Sequence, residues 1–312
     1  MARILIFGGA GFIGSNLNEH LRDKNHTVGI FDNLTAIGSK ELVAKTESVF
    51  QFDMVEKHSV ESALREFKPE IIYHFAANSD IAASSLNPNL DLRNTFLTTQ
   101  ALIQSIDQIG AKPEVVFASS SAVYGEKTGL IPEGDVCNPI SSYGWMKLAS
   151  EELLNHAYSQ GAISKLLIAR FPNVTGKYQT HGVVHDLVKR ALSKSGTLKV
   201  LGDGSQTKPF VLASELVEAL QRIIEVMKVG TQSTINLSPT DRISVREIAN
   251  LVRDAANPNS LVVFGTEPIG WAGDVNSYEL SCARAEKNFG RLNFGTSEAA
   301  IRSAIDWSLS NA

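Results

Sequence analysis

The sequence predicts a doubly wound α/β fold built on a parallel sheet. Two observations carry that prediction. Short apolar runs alternate with amphipathic stretches through the first 175 residues, and the first run ends in a glycine cluster that opens the first helical pattern. The runs Ile4–Phe7, Thr27–Phe31, Ile71–Phe75, Val115–Ala118 and Leu166–Arg170 read as buried parallel strands. Helical patterns lie between them at Phe12–Arg22, Val60–Phe67, Leu90–Ile109 and Tyr143–Tyr158.

The alternation weakens after Gly176. Gly, Pro and Ser cluster with polar residues at Lys177–Gly182, Ser193–Gly196 and Gly202–Pro209, which read as loops. Helical patterns return at Val183–Leu192, Ser214–Met227 and Val245–Ala255. The expected organisation is a sheet domain over residues 1–176 and a smaller C-terminal α/β lobe over 177–312. A segment near 234–237 is expected to rejoin the first sheet as a late strand.

Composition narrows the function. Hydrophobic residues at 43% and charged residues at 20% exclude a disordered chain. The 29 basic and 33 acidic residues sum to −4, which leaves no global positive field to hold nucleic acid or an anionic membrane. Two cysteines, Cys137 and Cys282, make no disulfide framework and point to a reducing compartment. No apolar run reaches the ~20 residues that span a bilayer. The expected location is the cytoplasm, with no metal and no nucleic-acid or membrane partner.

The glycine cluster Gly8-Gly9-Ala10-Gly11-Phe12-Ile13-Gly14 follows the first strand directly. A diphosphate needs such a turn: the chain bends sharply, the backbone approaches without a Cβ in the way, and the helix packs close to the strand. The free N–H groups of Phe12, Ile13 and Gly14 at the helix start then face the phosphates. Asp32 ends the second strand, 18 residues beyond Gly14. A carboxylate there accepts both adenine-ribose hydroxyls and repels a 2′-phosphate, and Asn33 supplies no arginine to attract one. NAD is therefore the expected cofactor in preference to NADP. Asp53 and Met54, after the Val49–Phe52 run, are expected to border the adenine.

Tyr143 and Lys147 stand four residues apart and share one helix face. A free phenol, with a pKa near ~10, is a poor base at neutral pH. A neighbouring ammonium favours the phenolate. Tyr143 is then placed to remove a proton from a substrate hydroxyl as hydride leaves the same carbon, while Lys147 also binds nicotinamide-ribose hydroxyls. Ser119-Ser120-Ser121 follow the strand Val115–Ala118, at the ligand edge of an open α/β sheet. One of these hydroxyls is expected to share the reacting proton or bind the substrate oxygen; spacing alone leaves open which.

With these motifs the sequence resembles the extended short-chain dehydrogenase/reductases, specifically nucleotide-sugar 4-epimerases of the UDP-glucose/UDP-galactose type. The resemblance runs over essentially the whole chain. It rests on GGAGFIG (8–14), FDNL (31–34), HFAA (74–77), SSSAVYG (119–125), YGWMK (143–147), RFPNVTG (170–176), LGDGSQTKPF (201–210) and GWAGDV (270–275). It implies a Rossmann-like fold and assigns the catalytic serine to Ser120, the base to Tyr143 and its lysine to Lys147. It places Phe75, Ala76 and Ala77 along the nicotinamide side and adds Phe171 to the cofactor set. Ser121, Asn173, Lys208 and Asp274 become the expected contacts to a nucleotide-diphosphate sugar. His74 receives no chemistry.

Departures from the family pattern sharpen the expectation. The related 4,6-dehydratases carry an Asp-Glu pair where this chain has Ser121 and Ala122. UDP-glucuronate decarboxylases usually have Glu where Ala122 stands. Lys208 replaces a bidentate arginine with a point charge. Trp271 stands in the other arginine position, and Lys177, His181, Lys189 and Arg190 are further cationic candidates. The expected activity is NAD-dependent 4-epimerisation of a UDP-hexose or its N-acetyl form through a transient 4-keto sugar. The alternatives are a dehydratase or 4-ketoreductase of the same family and a non-catalytic dinucleotide sensor. The apolar helices Leu90–Ile109 and Tyr143–Tyr158 resemble those of a family dimer interface, so a homodimer is expected.

Overall fold

The structure, a computed structural model, describes residues 1–36, 39–46, 48–78, 84, 86–193, 196–268 and 275–312. Its main sheet has seven strands: β1 (Arg3–Phe7), β2 (Thr27–Asp32), β3 (Ser48–Gln51), β4 (Ile71–His74), β5 (Glu114–Ser120), β6 (Lys165–Phe171) and β7 (Gln232–Asn236). Their order is β7-β6-β5-β4-β1-β2-β3. β1 pairs in parallel with β2 and β4, β2 with β3, and β4 with β5. The winding direction reverses between β1 and β4. In an open α/β sheet, that switch point beyond the carboxyl ends of the strands is where a ligand finds a crevice.

The helices follow from local signals. α1 (Phe12–Asp23) starts after Gly11, which carries no side-chain cap. α2 (Lys57–Phe67) ends where Lys68 turns left-handed, at φ 50°. α3 (Thr98–Ile109) ends at Gly110, whose N–H reaches back to the carbonyls of Ile106 and Asp107. α4 (Ser142–Ser159) starts because the Ser141 hydroxyl accepts the Gly144 N–H. Leu5, Phe7, Ile72, Val115, Phe117 and Ile168 bury one face of the sheet against Val60, Leu64, Leu102, Ile106 and Leu154 from α2, α3 and α4. Ile4, Ile6 and Ile30 are fully buried as well, so these strands are apolar on both faces.

The stretch predicted as one helix over Leu90–Ile109 is interrupted. Asn89–Asp91 is α-helical, Leu92–Leu97 is a π turn, and α3 follows. The hydroxyls of Thr98 and Thr99 both donate to the Thr95 carbonyl. Such side-chain bonds compete with the backbone ladder and widen it locally.

The chain forms two compact units. The first comprises Met1–Val123, Pro139–Arg170 and Val217–Ile235; the second comprises Tyr124–Asn138, Phe171–Leu216 and Asn236–Ala312. A single boundary at residue 176 does not describe this interleaving. The second unit holds two-stranded ribbons: Asn173–Thr175 with Phe210–Leu212, Thr197–Val200 with Leu261–Phe264, and Thr207–Lys208 with Ile243–Ser244. The last ribbon lies partly in the predicted loop Gly202–Pro209. Its core joins Val184, Leu187, Leu198, Phe210, Ile248, Val252, Ile301 and Ile305. The last two belong to a C-terminal helix, Ser297–Ser310, that the sequence reading did not anticipate; Thr296 caps it by accepting the Ala299 N–H. Among the described residues no helix is long and apolar enough to cross a membrane, and no cluster of His, Cys, Asp and Glu has metal-site geometry.

Candidate active site

The glycine turn lies at the switch point. The Gly8 N–H donates to the Phe31 carbonyl at 2.9 Å, and Gly8 has φ +79°. A Cβ there would meet the Ala76 backbone nitrogen at 2.6 Å, so only glycine lets the loops after β1 and β4 touch. At Gly14 a Cβ would meet the Gly8 oxygen at 2.2 Å and Gly9 Cα at 2.7 Å. At Gly11 it would meet only the Gly8 oxygen, at 3.3 Å, and the space beyond is open. The N–H groups of Phe12, Ile13 and Gly14 form the start of α1, which no side chain caps. Backbone crowds backbone at Gly14 and cannot rotate away. Gly14→Ala is therefore expected to cost about 1–3 kcal/mol of stability. Urea unfolding measures this, and an unchanged midpoint with unchanged slope would show that the turn opens freely.

Asp32 ends β2 beside this turn. Its two carboxylate oxygens accept the backbone N–H groups of Ala10 at 3.0 Å and Leu34 at 2.9 Å. These bonds fix the carboxylate and leave a lone pair on each oxygen for a diol. Burial raises its pKa, and the backbone bonds hold the rise down. Asn33 is exposed and ties its side chain to Thr35. Asp53 accepts the Val55 N–H at 3.1 Å and is ion-paired with Arg93 at 2.5 Å. Met54 is buried in the core with Phe31 and Val60, which leaves its backbone, not its side chain, for any ligand.

The serine run is sorted by the strand itself. Successive side chains of a strand point to opposite faces. Ser119 faces inward and donates to the Glu151 carboxylate. Ser120 accepts the Ala122 N–H at 3.2 Å, and its hydroxyl lies near enough to Tyr143 to favour the phenolate. Ser121 opens a single 3-10 turn, Ser121–Tyr124. Of the three, Ser120 is the one that affects the ionisation of the phenol.

α4 carries Tyr143 and Lys147 to this strand end. Gly144 allows the approach, since a Cβ there would meet the Ala122 oxygen at 2.6 Å. Lys147 is almost fully buried; its Nζ donates to the Ala118 carbonyl at 2.6 Å and lies 4.9 Å from the Phe117 ring and 5.7 Å from the Tyr143 ring. Burial pushes Lys147 down to about 7, against the pull of Glu151 and Asp91. Burial pushes Tyr143 up to about 12; the nearby Ser120 hydroxyl opposes the rise and Asp91 adds to it. The expected lowering of the phenol by the lysine is absent from the protein alone, because dehydration outweighs it and the lysine is itself only partly charged near neutrality. His74 is fully buried, and burial with the nearby Lys147 holds its pKa at about 3. Its Nε2 meets the Thr99 hydroxyl at 2.8 Å, so it is a neutral core residue.

Residues that the sequence reading missed support this site from beneath. Glu151 lies one helical turn beyond Lys147 and is gripped by Arg170 through Nε at 2.9 Å and Nη2 at 2.5 Å. The i, i+4 spacing from Lys147 was the available signal. In the second unit, Asn173 stands opposite Phe210 in its ribbon, and Lys208 lies two residues before Phe210. Both are partly exposed, while Phe171 is buried. Asp274 and Trp271 lie outside the described residues. A cavity of about 390 Å³ lined by Leu64, Lys68, Ile72, Ile109 and Pro113 opens at the opposite, amino-terminal ends of β4 and β5, away from this chemistry.

A glycine-cradled switch point, a strand-end carboxylate and a Ser-Tyr-Lys group agree with the match of residues 4–238 to the NAD dependent epimerase/dehydratase family. The chain belongs to that family. The UDP-glucose 4-epimerase of Mycolicibacterium smegmatis is 32% identical over 296 residues, 92% of each chain. UDP-glucuronic acid decarboxylase 2 of Arabidopsis thaliana is 33% identical over 273 residues, which are 84% of this chain and 59% of that protein. The crystal structure of the Thermus thermophilus UDP-glucose 4-epimerase in complex with NAD superposes with a TM-score of 0.88 at 28% identity, over 99% of this chain and 100% of that one. The family's chemistry is NAD-dependent conversion of nucleotide sugars. The residues present fit NAD: a helix start with no side-chain cap, a glycine turn in which a Cβ at Gly11 would meet only the Gly8 oxygen, and a fixed carboxylate at Asp32 with acceptor capacity to spare.

Proposed function

We propose that this epimerase/dehydratase family member is a nucleotide-sugar 4-epimerase acting on a UDP-hexose such as UDP-glucose/UDP-galactose or the N-acetyl forms. The observation that carries this reading is the gathering of Tyr143 and Lys147, whose Nζ lies 5.7 Å from the phenol ring, at the strand end that bears Ser120. Gly8, Gly11, Phe12, Ile13, Gly14, Asp32, Phe75, Ala76 and Ala77 hold NAD, with Asn33, Asp53, Met54 and Phe171 as further contacts. NAD, when bound, supplies the acceptor and donor of the hydride at carbon 4. The Tyr143 oxygen takes the proton of the 4-hydroxyl, and Ser120 bridges that hydroxyl and the phenol. Loss of that proton and the carbon-bound hydride leaves a 4-keto sugar. Asn173 and Lys208, with Ser121 and Asp274, retain the diphosphate and sugar while the hexose turns over. Tyr143 then returns its proton to the other epimer, and carbon 4 is inverted with no net redox change.

The absence of a carboxylate at Ser121 and Ala122 supports epimerisation over water elimination, which needs an acid and a base beside the catalytic serine. Because of the similarity to a decarboxylase, the test includes its substrate. Purified protein is incubated with UDP-galactose, UDP-N-acetylgalactosamine and UDP-glucuronic acid without added cofactor and followed by NMR. Inversion at carbon 4 of either hexose is the expected result. Loss of carbon dioxide from UDP-glucuronic acid, with both hexoses unchanged, would replace this reading with decarboxylation.

A further inference from the structure

The backbone from Phe75 to Asn78 continues β4 and runs against the glycine turn. The two touch at Ala76, whose backbone nitrogen leaves no room for a Cβ on Gly8. At its near end the segment still belongs to the sheet: the Phe75 N–H donates to the Phe7 carbonyl at 2.9 Å. The pairing of β1 with β4 ends there, at Phe7 and His74. Residues 75–78 are only partly buried, so their position needs another support. That support comes from the π turn Leu92–Leu97 and the residues flanking it.

The Asn78 N–H donates to the Thr95 hydroxyl oxygen at 3.1 Å, and the Asn78 side-chain amide donates to an Asp91 carboxylate oxygen at 2.8 Å. His74, just before the segment, meets the Thr99 hydroxyl through Nε2 at 2.8 Å. The proton of that bond follows from the neighbouring one. A threonine hydroxyl has a single proton, and the Thr95 carbonyl accepts that of Thr99 at 3.0 Å. His74 Nε2 is therefore the donor, and a chain of bonds runs from His74 through Thr99 to Thr95. Thr95, fully buried, holds both ends of the segment: its carbonyl anchors the near end through Thr99, and its hydroxyl takes the far end at Asn78. The same carbonyl accepts the Thr98 hydroxyl at 2.8 Å and the Ser150 hydroxyl of α4 at 3.5 Å. All of these groups lie within the first unit. π turns concentrate at functional positions, and this one braces the segment that abuts the glycine turn.

We propose that Thr95 is a positioning residue for the cofactor, its hydroxyl pinning the Phe75–Asn78 segment against the glycine turn in the place that NAD requires. This rests on the placement of NAD at Gly8, Ala76 and Ala77. Without the hydroxyl the Asn78 N–H loses its acceptor, and the segment satisfies it by leaving its place for water. Only the molecules that keep the segment in place then bind NAD, and the apparent affinity falls by that fraction.

Calorimetry with NAD on the full, NAD-free chain tests this without any sugar substrate. Thr95→Val keeps the size and branching and removes the hydroxyl. It should weaken NAD binding about tenfold, the factor for one hydrogen bond to a group left unpaired. Thr95→Ser keeps the hydroxyl and should bind NAD as the unmodified protein does. Amide hydrogen exchange over residues 75–78 gives a second readout: it should quicken in Thr95→Val and not in Thr95→Ser. Asn78→Ala removes the bond to Asp91 from a partly exposed position and serves if the valine variant does not fold; it should weaken NAD binding roughly threefold. Valine and serine variants that lose affinity equally would show that packing, not the hydroxyl, holds the segment. Unchanged affinity in Thr95→Val or in Asn78→Ala would show that NAD needs no such pin. Either result overturns the proposal. Asp32→Ala checks the premise separately, since unchanged affinity there would overturn the placement of NAD itself.

Discussion

Tyr143→Phe is expected to lower the turnover of a UDP-hexose by about a thousandfold, within the range that a positioned acid–base contributes, while NAD binds as before. The substitution removes one oxygen atom and leaves the ring. The contacts of that ring persist: Lys147 still lies over it, and Gly144 still seats α4 against Ala122. Ser120 keeps its bond to the Ala122 N–H. The glycine turn and Asp32 are untouched, because neither bonds to the phenol. Loss is thus confined to proton transfer. In the protein alone the phenol is pushed up to about 12 and Lys147 down to about 7. The side chains by themselves therefore keep the phenol protonated at neutral pH. Ionisation has to await positive charge that arrives with its ligands. The measurement is kcat by NMR beside NAD affinity by calorimetry. A variant that keeps a tenth or more of the activity would remove Tyr143 from the role of base; one that loses NAD along with activity would move its role to cofactor binding.

How far the sequence reaches can be seen residue by residue. Strands β1, β2, β4, β5 and β6 were legible within about three residues at either end, because strands buried on both faces leave continuous apolar runs. The glycine turn was legible because its chemistry is local: a Cβ at Gly14 collides with residues only five and six positions away. Spacing alone left three serines in a row undistinguished, and the family resemblance pointed to Ser120; the alternation of β5 separates it from Ser119, which turns to Glu151. The unpartnered carboxylate oxygen of the buried Asp91 was invisible, because no linear pattern records a missing partner. The π turn beside it was hidden as well, since Thr95, Thr98 and Thr99 read as ordinary polar residues in a helix. The helix Ser297–Ser310 was missed although Thr296-Ser297-Glu298 is an ordinary helix start; its apolar stripe of Ile301, Ala304 and Ile305 is short. Asp53 and Met54 show what position alone leaves out. Their position after a strand suggested a ligand contact, and the fold engages Asp53 with Arg93 and packs Met54 into the core.

Glu151→Ala is expected to be strongly destabilising, by about 3–5 kcal/mol, because it takes the carboxylate away from a buried guanidinium. Glu151 and Arg170 are 1% and 6% exposed. Removing the carboxylate takes away the acceptors of Arg170 Nε and Nη2 and of the Ser119 hydroxyl at once. The guanidinium cannot shed its proton to relieve the charge, as a buried lysine can. For a unit of this size the loss corresponds to a fall of roughly 10 °C in Tm. A thermal melt measures it, and a fall of less than about 2 °C would mean that water or another acceptor reaches Arg170. The double variant Glu151→Leu, Arg170→Met separates stability from function. Replacing both members of a buried ion pair by apolar groups of similar volume is often neutral, so Tm is expected to return close to its original value. Turnover is not expected to return with it. Ser119 would lose its acceptor at the strand end that carries Ser120, and Lys147 would lose one of the two carboxylates that raise its pKa. Recovery of Tm without turnover would show that the pair is retained for the geometry and charge of the site. Recovery of both would show that an apolar pair serves the strand end equally well.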